Sequence, residues 1–180
     1  WYSLQVQNNY TKDAYRSWVK FDLSSIPSDS IIDDAFLTVY VKSHARAANR
    51  IYCAHHSNND AWTEGGITWN NQPSFNSSYN TNATFIPNYK GVGWISWDVT
   101  SDVRRDIAPG DRKSSWVIRD RYEANTGSQV WISMYCKEDS VSELLGINYL
   151  KSQDNVGDYT KRIMSNNETT EWGSGEGHSI

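Results

Sequence analysis

The side chains best equipped for chemistry in this chain are four histidines, two cysteines and a run of alternating oxygen-bearing residues in its second half. His55 and His56 are adjacent. Neighbours on a strand point to opposite faces, so the pair cannot readily share one metal ion, and His55, in step with Ile51 and Cys53, reads as a core imidazole. Asp98, Thr100 and Asp102 place oxygens at every second position, and Asn58, Asn59 and Asp60 form another cluster. Neither has the glycine and bidentate acid of an EF-hand. Calcium on Asp98 and Asp102 therefore competes with a plainer role, capping of a helix by Thr100; no other cofactor is implied. Catalytic signatures are weak: there is no G-x-S-x-G, H-E-x-x-H or phosphate-loop pattern, and the carboxylates offer no spacing that marks a glycosidase pair. The chain reads as a non-enzyme.

Cys53 and Cys136 are too few for a disulfide scaffold and lack metal-ligand spacing. They form either one bridge, which needs Cα atoms within ~7 Å, or two buried thiols, and an extracellular setting favours the bridge. Sequons at Asn9, Asn76, Asn82 and Asn167 point to that setting, although a chain so rich in Asn and Ser makes some by chance. With 17 Lys and Arg against 21 Asp and Glu, and a net charge of −4, there is no basic field for nucleic acid. No apolar run approaches the ~20 residues that span a bilayer, so membrane insertion is not expected. Trp1-Tyr2-Ser3 lacks the order of a signal peptide, so any signal is expected to have been removed already.

The elements that must position these residues are strands, because the dominant hydrophobic period is two. Val19, Phe21 and Leu23 alternate with Trp18, Lys20 and Asp22; Ala35, Leu37, Val39 and Val41 alternate with Phe36, Thr38 and Tyr40. Further strands are predicted over 50–56, 93–100, 115–120, 130–136 and 144–150, with Ile132, Met134 and Cys136 inward. The stretch from Ser57 to Gly91 shows little alternation and reads as a long loop pinned by its own aromatics. One short helix follows Asp98, with Val103 and Ile107 on one face and Pro109-Gly110 as its stop. This pattern predicts an all-β, antiparallel, jelly-roll-like β-sandwich over residues 1–151, followed by an extended tail over 152–180.

The faces opposite the core carry the functional clue. Trp18, Phe36, Tyr40, Tyr52, Trp131 and Tyr135 all fall there, joined by Arg16, Lys20, Lys42 and Lys137. Aromatics on a solvent face stack on the apolar faces of sugar rings, and polar neighbours bond the hydroxyls. The competing reading is that this face is covered by the long loop or by a neighbouring subunit, because large bare apolar patches are uncommon.

Several segments, taken in order, resemble the DNRLRE family and the related disaggregatase-related repeats of methanogenic archaea. They are RSWVKFDLSSIP at 16–27, the alternation from Ile32 to Val41, WTEGGITWNNQP at 62–73, and WDVT at 97–100 with the helix after it. The resemblance implies an extracellular jelly-roll accessory module, in some relatives carbohydrate-binding, and no catalysis. It implies a structural role for Phe21 and Leu23 in the core, for Asp22 and Asp98 as acceptors of loop amides, and for Trp62, Trp69 and Pro73 as the anchor of the long loop; Glu64 reads as a brace of that loop rather than a general acid. Relatives carry an additional strand before the RSWVKFDL segment. Either Trp1 to Asn8, with Leu4 and Val6 alternating, supplies it, or an edge stays open to a tail from another subunit. The expected function is polysaccharide binding at a cell surface or in its matrix. The alternatives are a subunit of a filament or surface layer assembled by tail exchange, with Trp172 as the tail's anchor, and an accessory domain of a polysaccharide-degrading protein.

Overall fold

The computed structural model describes residues 3–8, 14–46, 50–77, 81–85, 92–107, 111–123, 129–136, 144–150, 159–165 and 168–173; over 81–85, 159–165 and 168–173 the description is of the strand path. In chain order the elements are β1 (Leu4–Asn8), β2 (Ala14–Asp22), β3 (Ile31–Ala45), β4 (Arg50–Ser57), β5 (Thr81–Phe85), β6 (Gly93–Asp98), α1 (Thr100–Ile107), β7 (Lys113–Asp120), β8 (Val130–Met134), β9 (Leu144–Leu150), β10 (Tyr159–Ser165) and β11 (Glu168–Gly173). All described pairings are antiparallel, in the order β10-β9-β3-β8-β1-β2-β7-β4-β5, with β6 beside β3 and β11 beside β2. The predicted all-β sandwich is what forms, with a single short helix among the described residues.

The sheet curls around one core. Val19, Phe21 and Leu23 of the β2 region meet Leu37, Val39 and Val41 of β3, Trp97 of β6, Trp116 of β7, and Ile132, Met134 and Cys136 at β8, all buried. These are the inward residues that the alternation of β2, β3 and β8 predicts. β1 fills the position before β2: Leu4 and Val6 join the core while its edges pair with β8 and β2. Helix α1 closes one end by inserting Val103 and Ile107 into the same core. Its start is held by Asp98, whose Oδ1 accepts from the Thr100 backbone N–H at 3.0 Å and the Thr100 hydroxyl at 2.6 Å. The Thr100 hydroxyl in turn accepts the Ala35 N–H at 2.9 Å, tying the helix to β3.

Three expectations are corrected. The 57–91 stretch contains a strand, β5, paired with β4 from Ala54 to Arg50. In β4 the core side is Tyr52 and Ala54, not Ile51, Cys53 and His55. Every residue from Tyr52 to Ser57 is buried, and a strand covered on both faces loses the polar–apolar contrast that reveals which side is which. That inversion undoes the disulfide. Cys136 lies in the core, Cys53 on the opposite face of the sheet, and β1, β2 and β7 separate their strands, so the two sulfurs are not bonded to each other. Burial pushes the Cys53 thiol above its ordinary range, an unreactive setting.

Within the segment expected to be an extended tail, β10 pairs with β9 from Leu150 to Leu144, and β11 pairs with β2 from Tyr15 to Lys20. Only two residues separate β10 from β11, yet they join different strands.

Candidate functional site

The outer face of the sheet, opposite the core, divides into a covered region and a bare one. Over β2 and β7 the loop from Asn58 to Ser77 folds back, and Trp62 and Ile67 bury themselves with Trp18 and Val117, with Phe75 packed alongside. Trp18 meets Trp62 at 6.0 Å and Phe75 at 6.3 Å between centroids, both edge-on. Lys20 runs underneath, its Nζ donating to the Trp62 carbonyl at 2.6 Å and standing 4.6 Å from the Trp62 ring centroid. The indole N–H of Trp62 donates to Ser115 Oγ at 3.2 Å.

A cation network fastens the loop's far side. Arg16 grips Glu123 through two N–H···O bonds of 2.7 Å, donates to Gln72 Oε1 at 2.9 Å, and lies 4.4 Å from the Trp69 ring centroid. Arg119 donates to Glu123 Oε2 at 2.8 Å and to His55 Nε2 at 3.0 Å. An accepting Nε2 leaves the imidazole proton on Nδ1, which faces the Asn76 carbonyl at 3.2 Å. His55 is thus buried and satisfied, as expected, but beneath the loop rather than in the core. The anchoring role implied for Trp62, Trp69 and Pro73 fits this arrangement; Ile67, Phe75 and Arg16 complete it.

Trp18 and Tyr52 consequently leave the set of candidate sugar-binding aromatics. Trp18 has no exposed surface, being roofed by the loop, and Tyr52 is 1% exposed because the inverted face of β4 turns it into the core. Burial also raises the Tyr52 phenol far above its ordinary range, the neighbouring Asp120 adding to the effect.

His56 faces the other way from His55. Its Nε2 lies 2.7 Å from Asp106 Oδ2, and Ser114 donates its hydroxyl to that same oxygen. A serine bonded to the carboxylate rather than to the imidazole is not an activated nucleophile; this trio braces α1 against β4 and β7. Asp98 and Asp102 are likewise divided: Asp98 holds Thr100, which keeps its carboxyl below the ordinary range, whereas Asp102 accepts the Trp116 indole N–H at 2.9 Å and Arg105 at 2.9 Å. Their oxygens serve separate partners. Among the described residues no group of three or more His, Cys, Asp or Glu side chains gathers as a metal site.

The bare region lies over β3, β6 and β8. On β3 the outer positions are Phe36, Thr38 and Tyr40, and register sets Asp98, Ser96 and Trp94 of β6 directly beside them. Trp94 is 52% exposed and Phe36 42%. Trp94 and Tyr40 stand perpendicular at 4.9 Å, forming a corner, and Tyr135 leans on Tyr40 at 5.8 Å with Lys42 Nζ 5.2 Å from its ring. Thr38 and Ser96 share a 3.0 Å hydrogen bond along the floor, and Asn148 donates to Asp34 at 2.7 Å nearby on β9 and β3. Of the six predicted aromatics, then, Tyr40 and Tyr135 come together, with Phe36 on the same face but four residues, roughly 13 Å, along β3 from Tyr40. Trp131 shares the face but lies four residues, roughly 13 Å, along β8 from Tyr135, opposite Gln7 of β1.

Trp94 was the residue missed. The signal was present in the sequence: in Trp94-Ile95-Ser96-Trp97-Asp98 the core positions are Ile95 and Trp97, which leaves Trp94 outward with Ser96 and Asp98.

Asn76 is exposed. Asn82 lies in β5, opposite Cys53, and Trp172 in β11, opposite Arg16, both where only the strand path is described; Asn9, Asn167 and Lys137 fall outside the described residues. No helix among the described residues is long and apolar enough to cross a membrane.

An exposed aromatic corner with hydroxyl and amide neighbours, positioned by strand register, has the chemistry to stack on flat, hydroxyl-rich ligands, and among the described residues no activated nucleophile accompanies it. No curated protein matches the chain. The sequence profile of carbohydrate-binding module family 96 matches residues 2–148, from before β1 into β9. The chain belongs to that family of non-catalytic carbohydrate-binding modules.

Proposed function

We propose that the chain binds polysaccharide at the Trp94–Tyr40–Tyr135 corner, with Phe36 extending the apolar floor and Lys42 at its margin, and that it does so outside the cell or at its surface as a module of a larger assembly. The single observation that carries the proposal is the half-exposed Trp94 held at right angles to Tyr40. Two rings fixed by strand register present a large apolar contact at little cost in side-chain freedom. The resemblance to DNRLRE modules and the sequons support the extracellular setting; no cofactor takes part in this mode of binding.

Affinity electrophoresis over a panel of soluble polysaccharides tests it. Wild type is retarded by at least one, and Trp94→Ala and Tyr40→Ala each weaken that retardation tenfold or more. Retardation unchanged in both variants removes the corner as the binding face.

A second reading concerns assembly. β10 and β11 join the sheet by antiparallel pairing with β9 and β2, and the same addition from a neighbouring copy links chains into a filament or layer. Light scattering separates the cases: particles that grow with concentration, and shrink when residues 159–180 are removed, support exchange, whereas a monomer at every concentration excludes it.

A further inference from the structure

The loop that roofs Trp18 does more than cover it. Between Asn59 and Pro73 it forms an open cleft of about 300 Å³, whose lining includes the apolar Trp62, Ile67 and Pro73 and the polar Asn59, Thr63 and Asn71. We propose that this cleft is a second carbohydrate subsite, taking one unit of a neutral sugar chain, separate from the Trp94 corner. It rests on the reading of the protein as a glycan binder and adds a place where part of the glycan sits.

Three observations carry it. Every lining residue is uncharged, with amide and hydroxyl groups beside apolar rings, which suits a neutral, hydroxyl-rich ligand. Its size sits at the lower bound of small-molecule pockets, about 300–1,000 Å³, enough for one sugar unit and not for an extended run. Its walls are fixed before any ligand arrives. Gly66 N–H and Ile67 N–H both donate to the Thr63 carbonyl at 3.0 and 3.1 Å, Asn71 Nδ2 donates to the Gly66 carbonyl at 2.9 Å, and Asn59 Oδ1 accepts the Ala61 N–H at 3.1 Å. A preformed site avoids the ordering cost of closing a mobile loop around a ligand. A Cβ on Gly66 would stand 2.8 Å from Thr63 Oγ1, so a larger residue there displaces the Thr63 side chain from the cleft wall.

The cleft and the corner lie on the outer face of one curled sheet, with β8 and β1 between β3 and β2. Trp131, Gln5 and Gln7 face outward in that interval, and Gln5 Nε2 donates to Gln7 Oε1 at 3.3 Å.

Amide NMR titration of the full chain with hexasaccharides of glucose, mannose and N-acetylglucosamine tests the subsite. With at least one of them the Thr63, Gly66 and Asn71 amides shift and saturate. Ala61→Phe, which fills the rim and keeps the backbone N–H that Asn59 Oδ1 accepts, raises Kd at those amides at least tenfold; isosteric Thr63→Val raises it severalfold should the larger variant fold poorly. Trp94→Ala leaves the loop shifts in place while abolishing those at Tyr40 and Tyr135, so failure at the corner and failure at the cleft are read on different amides. Absence of loop shifts with all three hexasaccharides, or loop shifts equal in Ala61→Phe and wild type, overturns the proposal.

Discussion

Trp18 and Trp94 occupy equivalent positions by pattern. Each sits on an outward-facing site of a strand whose other face lines the same core, and each has polar residues two places along. One is fully buried and the other 52% exposed. The difference lies in what crosses above them. Over Trp18 the loop brings Trp62, Ile67 and Phe75 and is clamped by Arg16, Arg119 and Glu123, whereas over Trp94 the described structure has only ring neighbours from adjacent strands. An outward aromatic is therefore a structural residue or a recognition residue according to whether a distant segment of the chain carries a matching apolar set.

Substitutions sharpen this contrast. Trp18→Ala opens a cavity beneath the loop and is expected to lower unfolding free energy by about 3–5 kcal/mol, seen as a reduced midpoint in urea. Arg16→Met keeps the apolar stem over Trp69 but removes the fork on Glu123; the expected loss is roughly 2 kcal/mol, since charge-assisted bonds in a partly buried site contribute about 1.5–3. Trp94→Ala reverses the ranking: stability changes by about 0.5 kcal/mol or less, as at most exposed sites, while glycan binding falls at least tenfold. If Trp18→Ala proves as mild as Trp94→Ala, the loop is not packed as described and the contrast fails.

The smallest effects are titrations, one in each region. Asp98 is held below the ordinary carboxylate range by its bonds to Thr100, so its contribution is present above the unfolded-state value and is lost as pH falls through the lower folded value. Asp98→Asn should cost stability at neutral pH and cost nothing in strong acid. Asp60, under the loop, is raised above its ordinary range by burial, with a bond to Ser115 opposing the shift. The sign is opposite: protonation favours the folded state, so stability attributable to Asp60 is full below the unfolded-state value and declines as pH rises through the folded one. Asp60→Asn should gain on wild type at neutral pH and lose that advantage in acid, measured by urea unfolding at stepped pH. Parallel pH profiles for the two variants contradict the burial difference.

Much of the fold was legible because half-buried strands write their burial into a period of two. β2, β3 and β8 show it plainly, and α1 announces itself through Val103, Ile107 and the Pro-Gly stop. β4 was misread in parity because both its faces are covered. β5, within a polar stretch, has no alternation to detect. Phe36, Tyr40 and Tyr135 were recoverable as outward-facing aromatics, and Trp94 was recoverable in principle from the same rule; Trp18 was indistinguishable from them on local grounds.

The sequence by itself determined most of the strands, the core face of most of them and the helix, because these follow from residue type and local spacing. Only the tertiary structure decided which outward aromatics are roofed, which face Cys53 takes relative to Cys136, and where the stretch after β9 pairs. Those outcomes depend on contacts between segments tens of residues apart, and alternation along a single strand carries no information about what lies above it.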